Sequence, residues 1–107
     1  MKVAAVVRDI MLFSRIESAA RVAGVEVARV DGPAVLPPDA DLILVDWSAR
    51  DDDWADALRA HPGRVILFGP HTDLEAHAAA RDAGLGPMWA RSKLLADLPS
   101  VMNASER

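Results

Sequence analysis

Asp9, Asp46, His71, Arg91 and Ser92 are the side chains of this 107-residue chain that could do chemistry together. Each closes a short apolar run or follows one within two residues: VAAVV before Arg8-Asp9, LILVD ending on Asp46, RVILFG before Pro70-His71, and PMWA before Arg91-Ser92. Two carboxylates can hold a hard cation through oxygen. A histidine beside them can act as an acid or a base. Arginine binds carboxylate bidentately and stays charged, so Arg8 or Arg91 can instead form a standing ion pair with Asp46 or Asp9. GPHTDLEAH adds a second cluster, His71, Asp73 and His77, whose last two members share a helix face and suit a His/Asp metal site. The plainer reading makes Asp73 a helix cap, His77 half-exposed and His71 a polar turn residue.

Several classes of chemistry drop out. With no cysteine there is no disulfide, no thiolate catalysis and no cysteine-held zinc or iron–sulfur centre. GLGP lies between a helix and a strand, the wrong context for a phosphate loop. No nucleophile elbow or Ser/His/Asp triad can be assembled. The net charge of −4 and the scattered basic residues argue against nucleic acid as a partner. Only five apolar residues precede Arg8 and no run is long enough to span a bilayer, which predicts a cytoplasmic protein that does not enter membranes.

The elements that must position these groups are short and evenly spaced. VAAVV (3–7), LILVD (42–46) and RVILFG (64–69) are continuous apolar runs, as strands buried on both faces are. VEVARV (25–30) alternates and reads as an edge strand; PMWA (87–90) is a short fifth strand. Between them, Asp9 caps a helix whose apolar face carries Met11, Leu12, Ile16, Ala19, Ala20 and Ala23, with Gly24 as its stop. Three prolines in 31–41 leave room for one turn at 33–36 and no full helix. Residues 51–63 form a helix with acids in its first turn and Trp54, Ala57 and Leu58 inside; 72–84 form another, capped by Thr72 or Asp73. The last helix begins at Ser92 as its cap, and Pro99 kinks or ends it. Strand and helix alternate five times, the pattern of a parallel sheet covered on both faces, with ligands beyond the carboxyl ends of the strands. One domain over 1–102 with a frayed tail at 103–107 accounts for the length. Trp47, Trp54 and Trp89 read as packing residues first and partner anchors second, with Trp47, beside a charge, the one expected at the surface.

The order and spacing resemble the receiver domain of two-component response regulators across about residues 2–102, through VVRDI, LILVD and AARDAGLGPMWARS. The resemblance implies a flavodoxin-like (βα)5 fold, a five-stranded parallel sheet in the order 2-1-3-4-5, with the second helix shortened or missing. It places Asp46 at the phosphoacceptor and Asp9 at the second acid of the metal-binding pair. Five positions depart: Arg8 stands for the first acid, Gly69 for a Ser or Thr, Arg91 for a lysine, Ser92 for the proline that follows it, and Met88 for the aromatic switch residue. Exchanging an acid for an arginine removes about two units of negative charge beside the ion and weakens Mg2+ binding. The expectation is therefore no cofactor, with Asp9 and Asp46 the candidate ligands should Mg2+ bind.

Three functions follow. The first is a stand-alone, degenerate receiver-like signalling module, not an enzyme, acting by protein contact. Its partner is another protein or a second copy, met through the fourth helix (72–84), fifth strand and last helix. The second is a working single-domain response regulator phosphorylated on Asp46. The third is a small ligand binder or enzyme using His71, Asp9 and Asp46 at the strand ends.

Overall fold

The computed structural model describes residues 1–104, with side chains for residues 1–102. Five strands, β1 (Lys2–Val6), β2 (Glu26–Val30), β3 (Leu42–Asp46), β4 (Arg64–Gly69) and β5 (Trp89–Ala90), form one parallel sheet in the order β2-β1-β3-β4-β5. That is the expected flavodoxin-like order. Helices α1 (Ile10–Val22), α2 (Trp54–Ala60), α3 (Leu74–Asp82) and α4 (Arg91–Ala104) connect and cover it. A single 3-10 turn, Pro33–Val35, stands where a helix would follow β2, and a second, Trp47–Ala49, follows β3.

The strand period of two sorts the core into two layers. Val3 and Ala5 of β1, Leu42 and Leu44 of β3 and Ile66 and Phe68 of β4 face α1 and α4, against Leu12, Ile16, Leu94 and Leu98. Ala4, Val6, Ile43, Val45 and Leu67 face the other way, against Trp47, Trp54, Leu58, Ala76 and Ala80. All five residues of β3 are buried, as befits the middle of the sheet; β2, at the edge, is exposed or half-buried throughout.

Helix ends follow their capping chemistry. Asp9 accepts hydrogen bonds from Met11 N (3.0 Å) and Leu12 N (3.2 Å), and Asp73 from Ala76 N (3.1 Å). α1 and α3 each close on a glycine in the left-handed region, Gly24 and Gly84.

Several expectations are corrected. Met11 is 81% exposed, because the stripe that meets the sheet runs Leu12–Ile16–Ala20 and Met11 lies about 100° around the helix from Leu12. The helix of 51–63 shrinks to Trp54–Ala60, with Asp51, Asp52 and Asp53 ahead of its first turn. α4 starts at Arg91, so Ser92 sits inside the first turn and does not cap it. Pro99 lies inside α4 without ending it: it is on the exposed side, and the buried row Leu94, Leu98, Val101 and Met102 continues past it. The helix also takes in 103–104, part of the expected tail; 105–107 lie outside the described residues. Trp47 is 2% exposed, not a surface residue, because its indole turns under α3.

Candidate functional site

β3 carries Asp46 to the carboxyl edge between its two neighbours: Val45 is level with Val6 of β1, and Asp46 is level with Phe68 of β4. Asp46 is 6% exposed and is the only buried polar or charged residue among the described residues. A carboxylate so withdrawn from water must find partners. The turn Trp47–Ala49 supplies the first by folding back, so that Ser48 Oγ donates to Asp46 Oδ1 at 2.8 Å. The turn itself is pinned. Trp47 Nε1 donates to the Ala76 carbonyl of α3 (3.0 Å), Arg50 Nη1 donates to the Trp47 carbonyl (3.2 Å), and the Arg50 guanidinium lies 5.2 Å from the centre of the Trp47 ring.

The second partner comes from the far edge of the sheet. Gly69 of β4 is level with Ala90 of β5, and Arg91 follows directly. Arg91 Nη2 stands 3.5 Å from Asp46 Oδ2. That is ion-pair contact, longer than an optimal hydrogen bond. Arg91 Nε is buried and makes no hydrogen bond. The question left by the sequence, which arginine meets which acid, is answered here by Arg91 and Asp46.

Gly69 and Met88 pack against the same corner. A Cβ on Gly69 would lie 3.0 Å from Met88 Sδ and 3.5 Å from Ser48 Cβ. Met88, 5% exposed, thus fills the space that a hydroxyl-bearing side chain on β4 would need. The hydroxyl near Asp46 comes instead from Ser48, to which periodicity assigns no role. Its signal is local, a serine two residues after an acid at a strand end.

The remaining strand-end residues disperse. Arg8 faces Asp51 at 3.6 Å, with its guanidinium 5.7 Å from the centre of the Trp54 ring, and so turns toward α2. Asp9 spends Oδ1 on the start of α1. His71 is exposed, and its carbonyl lies 3.1 Å from His77 Nε2. Ser92 is exposed. Asp73 is committed to capping α3, so His71, Asp73 and His77 do not gather into a metal site.

No protein-family model matches the chain, and no curated protein matches it. Among solved structures, a response regulator receiver domain protein from Clostridium thermocellum superposes with a TM-score of 0.72 at 17% identity, over 97% of this chain and 92% of that one. The fold is that of a receiver domain. A receiver fold brings with it the question of Mg2+, and the donor set present does not fit the ion. Asp9 has one oxygen, Oδ1, taken by two backbone amides, Arg8 replaces an acid with a cation, and both oxygens of Asp46 face donors. Among the described residues no three His, Asp or Glu side chains gather into a group able to hold a metal. No helix there is long and apolar enough to cross a membrane.

Proposed function

We propose that this chain is a degenerate receiver-like signalling module that works by contact with another protein, without ordinary aspartyl phosphorylation and without Mg2+. The observation that carries the reading is the double engagement of Asp46, by Ser48 Oγ at 2.8 Å and Arg91 Nη2 at 3.5 Å. A carboxylate accepts a phosphoryl group by attacking phosphorus with an oxygen lone pair, and needs a cation on the transferring oxygens. Here one oxygen accepts a hydroxyl proton, the other faces a guanidinium, and the side chain is 8% exposed. The usual metal donors are spent or replaced. A strand-end enzyme using His71, Asp9 and Asp46 has less support, since Asp9 caps α1 and His71 points its ring to no described partner.

The contact surface we assign is the face of α3, β5 and α4, for another protein or a second copy of the chain. Trp89 supports this choice: it is a half-buried aromatic on a two-residue edge strand, with Lys93 Nζ 4.4 Å from its ring centre.

The second reading, a working receiver, draws on one fact: a cation, Arg91, still stands at the end of β5 within reach of Asp46. Incubation with a small phosphodonor and Mg2+, read by intact mass, separates the two. The expected result is an unmodified chain. A stoichiometric gain of about 80 Da, lost in Asp46→Asn, overturns the proposal and establishes the working receiver.

A further inference from the structure

We propose that the cleft between the N-terminal halves of α1 and α4 binds a small amphipathic anion: a carboxylate or phosphate group on an apolar body about one aromatic ring in size. This goes beyond the signalling reading and does not depend on it. The cleft holds about 550 Å³, within the range of small-molecule sites. Its apolar wall is Leu12 and Leu95, with Met11 at 81% exposure beside them. Its cationic wall is Arg15 from α1 and Arg91 from α4.

The charge there is only partly spent. Eight ion pairs join basic side chains of the described residues to carboxylates, Arg91 with Asp46 among them, whereas Arg15, like Arg64 and Arg81, has no such partner. The residues one turn away from it on α1, Met11, Leu12, Ser18 and Ala19, offer no acid either. Arg91 meets Asp46 through a single Nη2 at 3.5 Å and keeps Nε without a partner. The one carboxylate on the cleft, Asp9, already accepts two amide hydrogens at Oδ1. α4 has no acid in its first turn, so the positive end of its dipole is left uncompensated by its own side chains. Two guanidiniums beside an apolar wall select an oxyanion and a hydrophobic group together, because either alone leaves half of the cleft unused. Arg91 borders the cleft and also faces Asp46, so ligand and Asp46 draw on one guanidinium.

The test is titration of the full chain with phenylphosphonate, inorganic phosphate and benzyl alcohol, followed through backbone amide and arginine Nε–H resonances. The expected result is saturable shifts in residues 11–15 and 91–95 with phenylphosphonate, binding at least about tenfold tighter than either half-molecule. Arg15→Gln, at an exposed position, weakens binding about tenfold; Arg81→Gln, at an exposed position on α3, leaves it unchanged. Asp46→Asn frees the guanidinium and tightens binding several-fold. Shifts that do not saturate, equal affinity for inorganic phosphate, or equal loss in Arg15→Gln and Arg81→Gln overturn the site. Unchanged affinity in Asp46→Asn overturns the sharing of Arg91.

Discussion

Removing the guanidinium from Asp46 should expose how firmly the acid is held. At the observed 3.5 Å, two unit charges attract by about 5 kcal/mol at an effective dielectric of about 20, and by about 1 kcal/mol in bulk water. The Asp46 side chain is 8% exposed, which favours the first figure, but the Arg91 side chain is 42% exposed, and solvent reaches the pair from that side. A coupling of about 1–2 kcal/mol is the resulting expectation. Arg91→Met keeps a long unbranched stem on the cleft that Leu95 also lines and deletes the charge. Asp46 is left buried with only the Ser48 hydroxyl, so the single variant loses about 2 kcal/mol, near 10 °C in melting temperature for a domain of this size. Asp46→Asn removes the charge that Arg91 answers, and in that background Arg91→Met costs much less. The assay is urea unfolding of the parent, both single variants and the double variant. Costs that add to within about 0.5 kcal/mol would show that Arg91 does not hold Asp46 and that the carboxylate stands free of it.

Three further perturbations probe the frame around that pair. Gly63→Ala places a Cβ 2.4 Å from the Ala40 carbonyl oxygen and 2.8 Å from Ile43 Cδ1, so it should cost about 2–3 kcal/mol in chemical unfolding; a neutral substitution refutes the close approach. Gly69→Ser forces Met88 Sδ from 3.0 Å and should cost about 1 kcal/mol, a cost that disappears in a Met88→Ala background; equal costs in the two backgrounds contradict the packing of Met88 over Gly69. The Lys2 hydrogen bond at 3.0 Å holds the Asp39 carboxyl below its ordinary 3.8. A folded value below the unfolded one means that the pair's contribution is present above about pH 4 and is lost as pH falls through the lower, folded value. Carboxyl NMR titration should show Asp39 moving back up in Lys2→Met, and an unchanged midpoint removes Lys2 as the cause.

The sheet was legible because a buried parallel strand needs an unbroken apolar run, and VAAVV, LILVD and RVILFG are such runs with glycine, proline and acid stops between them. The site was legible only as far as strand ends go. Periodicity places Asp46 and Arg91 at one edge, but their meeting depends on β5 lying two strands away from β3, with β4 between. Trp47 shows the same limit. Beside a charge at a strand end it reads as exposed, yet its indole donates to a carbonyl 29 residues further along, a contact no local pattern carries. Arg8 is the converse case: its nearest acid in sequence is Asp9, but helix capping takes Asp9, and the guanidinium goes to Asp51 instead. Where a side chain has a backbone role available, that role competes with the ion pair that sequence proximity suggests.

A two-state signalling element needs a contact that one signal makes and another breaks. In this corner the packing around Asp46 leaves few such contacts. Met88 is buried over Gly69, Trp47 is held by a buried hydrogen bond, and Ser48 is carried on the turn that Trp47 anchors. Arg91 differs from all of them: it is half-exposed, its approach to Asp46 is long, and one of its donors has no partner. If the corner switches at all, the side chain that moves is therefore Arg91, and what moves it must be an anion that competes with Asp46 or a partner surface that reaches the start of α4. The energy at stake is that of the Arg91–Asp46 coupling, about 1–2 kcal/mol, which is the size of a typical allosteric coupling and corresponds to a shift of roughly 5- to 30-fold in a two-state population.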